Sequence, residues 1–235
     1  MIRALIFVGF LVVYSPPAAL IALPIALITG NGEILWRWGI AGAKAATWLS
    51  GVRIHAVGLE NLDSKAPYIF MSNHTSNLDP PVMVPLVYRP MSILAKKELF
   101  RIPVIGLVFR IGNLVPVDRS NREAAVESVK KAVEVLRSGR SMVVYPEGTR
   151  SRDGRMLSFK KGPFHMAIES GVCIAPCTVI GTHDAWPKGK FRIKPMTVTA
   201  HFHPPINPRD FQSREDLMRA TWETINSALP APYRT

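Results

Sequence analysis

Tyr68-Ile-Phe-Met-Ser-Asn-His-Thr-Ser-Asn-Leu-Asp-Pro-Pro81 holds a strand, a loop and the start of a helix. The apolar run 68–71 reads as a short buried strand. The polar residues that follow cannot continue it. Pro80 suits the first position of a helix, where no N–H is needed, with Asp79 as the cap. A helix begun earlier, at Ser76, would place proline where a donor is required. Residues 74–79 are therefore expected to form a loop that carries His74 back towards Asp79. Outward from this unit the same alternation repeats. Strand patterns fall at 52–57, 91–95, 114–117, 141–145, 172–180 and 196–202. Helical patterns fall at 80–88, 121–137 and 163–170, and a last one begins at Ser213. The helix over 121–137 has Ser120 and Glu123 as a capping box and Gly139 as a stop. Its expected inner face is Val126, Val129, Val133 and Leu136. The last helix, capped through Asp216, places Met218, Trp222, Ile225 and Leu229 on one side. Strands alternating with helices predict an α/β domain over 51–235, a mostly parallel sheet flanked by helices.

The first 50 residues have another texture. No charge lies between Arg3 and Glu33, and the stretch is mostly Ala, Leu, Ile and Val. Its length suffices for a membrane span, but Pro16, Pro17 and Pro24 interrupt it and each removes a backbone donor. The expectation is a broken helical hairpin dipping into one leaflet, with residues 1–50 as an N-terminal helical membrane anchor. A kinked single span, a cleaved signal peptide and an ordinary buried hairpin are the other readings. Trp36, Trp38 and Trp48 beside Arg37 and Lys44 suit a headgroup boundary.

Composition sets the outer limits. The chain has 235 residues, 48% of them hydrophobic, and carries a net charge of +12. That much apolar content excludes intrinsic disorder, and one long uncharged stretch excludes a polytopic transporter. The charge calls for an anionic partner, whether nucleic acid, an acidic membrane or a phosphorylated substrate. Two cysteines, Cys173 and Cys177, form no disulfide framework and suit a reducing compartment. No H-E-x-x-H or zinc spacing is present, so no metal is expected, and no basic run or RNA-binding signature supports nucleic acid.

Chemistry in open α/β sheets gathers in the loops beyond the strand ends. A carboxylate on one nitrogen of His74 would fix its tautomer and leave the other as a base, as in serine hydrolases. No G-x-S-x-G nucleophile elbow accompanies the pair, so the expected role is a general base acting on a substrate hydroxyl. The competing reading is a loop histidine beside a capping aspartate. Three further loops carry cations: Arg119 after 114–117, Arg150 in Pro146-Glu147-Gly148-Thr149-Arg150, and Lys160 before the helix at 163. An arginine at a strand end and lysines beside a helix start make a phosphate site. Singly, each is as well read as a solvated surface charge.

Taken together the chain resembles the 1-acylglycerol-3-phosphate (lysophosphatidate) acyltransferases. Their N-H-x-x-x-x-D matches Asn73, His74 and Asp79, and their E-G-T-R matches Glu147, Gly148, Thr149 and Arg150. Phe159, Lys160 and Gly162 match F-K-x-G, and the apolar strand around Pro176 is similar to a fourth motif. Ala95-Lys96-Lys97-Glu98-Leu99 with Ile102, Pro103 and Gly106 is also family-like. The second motif departs from the usual G-x-x-F-I-x-R, ending in Pro116-Val117-Asp118-Arg119. The resemblance implies acyl transfer from acyl-CoA or acyl-carrier protein to the sn-2 hydroxyl of lysophosphatidate, without a cofactor, on the cytoplasmic face of a membrane rich in anionic lipid. It implies His74 and Asp79 as the catalytic pair. It assigns the acceptor phosphate to Arg119, Arg150 and Lys160, with Glu147, Gly148 and Thr149 around them. A sister lysolipid acceptor and an inactive basic membrane-binding module are the alternatives.

Overall fold

The computed structural model describes residues 1–87, 90–118 and 122–234. In chain order it contains α1 (Ile2–Thr29), α2 (Glu33–Leu49), β1 (Val52–Val57), β2 (Ile69–Ser72), α3 (Asp79–Leu86), β3 (Met91–Lys96) and α4 (Ile105–Ile111). After these come β4 (Val115–Val117), α5 (Arg122–Arg137), β5 (Ser141–Val144), α6 (Gly162–Ser170), β6 (Ile174–Ile180), α7 (Thr182–Ala185), β7 (Met196–Phe202) and α8 (Arg214–Ser227). The sheet runs β1-β7-β6-β2-β5-β3-β4, and every pairing is parallel except β6 with β7. The central strands β2 and β5 are buried at every residue, as strands covered on both faces must be, whereas the edge strand β1 alternates.

Period-two alternation sorts the core into two layers. Phe70, Val143, Ala175 and Phe202 point to one face, where Leu78, Val82 and Met83 of the α3 region meet Ala4, Phe7, Ile40 and Ala46 of the N-terminal hairpin. Ile69, Met71, Met142, Val144 and Ile174 point to the other, covered by Val133 and Leu136 of α5, Phe164 of α6, and Leu217 and Ile225 of α8. The N-terminal hairpin thus closes one side of the sheet. The inner face of α5 differs from expectation: Val126 is 51% exposed, and Ser128 and Ala132 turn inward instead. Ser120 lies outside the described residues. Ser213 caps α8 as expected, accepting from the Asp216 N–H.

The prolines do not break the first helix. Pro16, Pro17 and Pro24 all lie inside α1, which runs unbroken for 28 residues. Packing compensates for the lost donors. Ala18, Ala22 and Ala26 recur every fourth residue on its buried side, and Gly42 of α2 lets Tyr14 approach so closely that a Cβ there would sit 2.5 Å from the ring. The Tyr14 hydroxyl donates to the Trp38 carbonyl at 2.9 Å, and the Ser15 hydroxyl donates to the Leu11 carbonyl at 2.6 Å. Small residues at a helix contact let apolar helices pack closely enough to tolerate proline. Trp36 also departs from expectation, its Nε1–H donating to the Gly112 carbonyl at 2.9 Å on the α/β body. Trp48, 61% exposed with Arg53 over its ring, is the outward one.

Between β3 and α4 the chain makes a tight γ-turn. The Ile105 N–H donates to the Pro103 carbonyl at 2.7 Å, and Val104 between them has φ 63° and ψ −57°. For a β-branched residue this conformation costs about 1–3 kcal/mol. Val104 and Ile105 form one wall of an apolar cavity of about 570 Å³ whose other walls are α1 and α2.

Candidate active site

β2 delivers Asn73 and His74 at its C-terminal end. The Asn73 amide donates to the Val179 carbonyl at 2.9 Å and accepts from the Val179 N–H at 2.8 Å, which fastens the loop to β6. The chain then folds round the Asp79 carboxylate. Oδ2 lies 2.8 Å from His74 Nδ1 and accepts from the N–H groups of Thr75 (2.7 Å) and Ser76 (2.8 Å). Asp79 does not cap its own helix, as the sequence suggested. The next two residues are prolines and offer no N–H, so the carboxylate turns back to the loop before it. It is fully buried. Because its oxygen can only accept from the ring, Nδ1 carries the proton and Nε2 keeps its lone pair. The His74 ring stacks on Tyr145, centroids 4.0 Å apart and 20° between planes.

β5 delivers the second loop, and three bonds lock it to the first. Glu147 Oε1 accepts from the His74 N–H at 2.7 Å, the His74 carbonyl accepts from the Ser151 N–H at 2.8 Å, and the Arg150 guanidinium donates to the Asn77 side chain. Glu147 Oε2 accepts from the Leu157 N–H at 2.9 Å. Burial pushes the Glu147 carboxyl up to about 7, against the pull of these two N–H groups. Gly148 sits at φ 73°, with the Lys160 side chain where a Cβ would make contact. Thr149 is exposed, and its hydroxyl accepts from Lys188 Nζ at 3.4 Å.

Tyr145, Gly148 and Lys160 line a cavity of about 370 Å³ whose far wall is Val117, Asp118 and Val129. His74, Asp79, Glu147, Gly148, Thr149, Arg150 and Lys160 are thus gathered at one end of the sheet. Arg119 lies outside the described residues; the two residues before it line this cavity. The sequence reading missed Tyr145, whose phenol burial holds well above its ordinary range, and Lys188, whose Nζ donates to the Arg150 carbonyl at 2.7 Å. The signal for Tyr145 was its place at a strand end two residues before Glu147. Lys188 had none, because a loop far along the chain brings it in.

The family model described as Acyltransferase matches residues 53–180, more than half of the chain. The chain belongs to the acyltransferase family. Over 190 residues this acyltransferase is 41% identical to the 1-acyl-sn-glycerol-3-phosphate acyltransferase of Limnanthes douglasii, covering 80% of this chain and 67% of that one. It is 36% identical to the enzyme of the same name from Borreliella burgdorferi, covering 70% and 66%. The crystal structure of the 1-acyl-sn-glycerophosphate (LPA) acyltransferase of Thermotoga maritima superposes with a TM-score of 0.81 at 29% identity, over 95% of this acyltransferase and 92% of that chain. The α/β fold read from the sequence is that of this relative.

Proposed function

We infer that this acyltransferase moves a fatty acyl group from a thioester to the sn-2 hydroxyl of lysophosphatidate, giving phosphatidate for phospholipid synthesis. The substrate follows from the names of its relatives. The chemistry rests on one observation: the His74–Asp79 pair has no protein nucleophile beside it. Among the described residues, the loop serines are engaged elsewhere, Ser76 Oγ donating to the Trp186 carbonyl at 2.7 Å and Ser72 Oγ to the Asn73 carbonyl at 2.9 Å. The Tyr145 phenol stacked on His74, though unpartnered, is kept protonated by burial. His74 Nε2 takes the proton of the acceptor hydroxyl as its oxygen bonds to the thioester carbon. The C–S bond then breaks, and the imidazolium returns the proton to the departing sulfur. A thiol of pKa near ~8.5 leaves readily, so attack by the lipid hydroxyl needs no acyl-enzyme. Asp79 holds the ring and stabilises its charged form. Arg119, Arg150 and Lys160 bind the acceptor phosphate, and Glu147 orders the loop. The donor is acyl-CoA or acyl-carrier protein.

Residues 1–50 hold the enzyme on the cytoplasmic face of the membrane. Twenty-eight helical residues measure ~42 Å, enough to cross a ~30 Å core, but the hairpin is tied to the α/β body at both ends. At one end Phe7 packs edge-on against Trp186 of the body, while Arg3 donates to the Ser50 carbonyl within the hairpin itself. Glu33 pairs with Arg140 at 2.8 Å and Trp36 holds Gly112 at the other. A helix held in this way supports a reading in which α1 lies along the membrane surface and enters one leaflet. Its outer side, with Leu5, Val12, Val13, Leu20 and Ile28 exposed, meets lipid.

His74→Ala is expected to lower turnover about 10²- to 10⁴-fold while leaving the thermal transition in place, measured by thiol release from acyl-CoA with purified enzyme in detergent. Asp79→Asn is expected to be milder, since the base survives. Near wild-type turnover in His74→Ala would exclude the mechanism, and acceptors other than lysophosphatidate in the same assay test the sister-lipid reading.

A further inference from the structure

The N-terminal hairpin is not the only apolar surface without a protein partner. The segment from the end of β3 through α4 exposes Leu99, Ile102, Val104, Ile105 and Leu107, each between 36 and 53% accessible. Scattered apolar side chains are ordinary on a protein surface; five large aliphatic ones within nine residues mark an interaction site. Four cations, Lys96, Lys97, Arg101 and Arg110, flank them, against the single carboxylate Glu98 within the segment. Lys96 lies 3.6 Å from Glu98 and Lys97 3.1 Å from Asp118, exposed pairs that leave the patch strongly cationic. Arg110 donates to the Phe100 carbonyl, so its charge is not offset there.

The backbone supports outward display. A strained γ-turn at Val104 is tolerated where its side chain is exposed, whereas strain of this kind persists mainly at functional positions. The patch also continues the surface of α1, since Val104 and Ile105 share the apolar cavity with Pro16 and Ala22. We propose that residues 96–110 form a second membrane-binding element, inserting Leu99, Ile102, Val104, Ile105 and Leu107 among the acyl chains of an anionic leaflet while Lys96, Lys97, Arg101 and Arg110 bind headgroup phosphates. The proposal rests on the reading that α1 meets that leaflet. A bilayer accounts for both features at once: aliphatic side chains without polar partners, and a rim of basic groups at headgroup depth.

The test is partitioning of the full chain onto vesicles of phosphatidylcholine with one-fifth phosphatidylglycerol, followed by flotation. Ile102→Asp and Leu107→Asp are each expected to weaken partitioning about tenfold or more, since each removes one inserted aliphatic side chain. Ile168→Asp, an equally exposed site on α6, is expected to leave it unchanged. Ile102→Trp is expected to tighten it, a gain that a merely misfolded protein would not give. Wild type that fails to float would overturn the membrane reading of the hairpin, and the proposal with it. Wild type that floats while both Asp variants float equally well would overturn this proposal alone. Unchanged flotation with lost binding of an acidic acyl-carrier protein would make the patch a carrier dock, and would equally overturn it.

Discussion

The chemistry at Asp79 turns on a single oxygen. Oδ2 accepts from the His74 ring and from two backbone N–H groups, so one carboxylate both shapes the loop and holds the tautomer. The loop was legible, because Pro80-Pro81 forbids an earlier helix start. That the same prolines leave the carboxylate no donor ahead of it was not, and the sequence suggested Asp79 as the cap of its helix. Glu147 was legible only as a motif residue; that it bonds the His74 N–H depends on two loops meeting. Its carboxyl gives a sign that can be checked. With a folded pKa of about 7 and an unfolded one of 4.5, the native state keeps a proton the unfolded chain has lost. Stability should therefore fall as pH rises from about 5 to 7 and level off above. Thermal melts of wild type and Glu147→Gln should diverge over that window, the variant lacking the decline. Arg150 and Lys160 make a different prediction. Arg150→Ala and Lys160→Ala should raise KM for lysophosphatidate, by roughly tenfold for a charge-assisted contact, with a smaller change in KM for the acyl donor. An equal rise for both would reassign the cations to the donor's phosphates.

Among the elements, β1 and β7 ended where their alternation said they would, because a strand with one face covered writes its register into the sequence. The seven-residue α4 was not anticipated; Pro103 and Gly106 at its start stood out only as family-like residues. The continuity of α1 was misread for a more general reason. Local rules count the donors that proline removes, but they do not see Gly42 and the alanine row that let a second helix press close. Gly42→Val tests that account. Tyr14 is stacked between Phe10 and Trp38 and bonded to the Trp38 carbonyl, so it has no easy retreat. The substitution should destabilise by about 1–3 kcal/mol through overpacking, seen as a lower Tm in detergent. A variant with an unchanged Tm would mean that the hairpin contact is looser than its geometry.

For the whole molecule, the hairpin belongs to the core of the α/β body while its outer side, on the reading proposed above, meets lipid. Both chain ends of the hairpin then stay on the side of the membrane that holds the catalytic domain. A cysteine at residue 2, with Cys173 and Cys177 replaced, should react with a membrane-impermeant reagent only after sealed cells are opened. Labelling of intact cells would mean that α1 crosses. The same contacts impose an order on synthesis. Phe7 leaves the ribosome about 180 residues ahead of Trp186, its partner, a lead of roughly 10–40 s at common elongation rates. Glu33 waits in the same way for Arg140. During that interval the nascent hairpin has an apolar inner side with nothing of its own to bury it. The bilayer, a chaperone or the translocation machinery must shield it until the sheet is made, so whatever shields it acts before this enzyme has an active site.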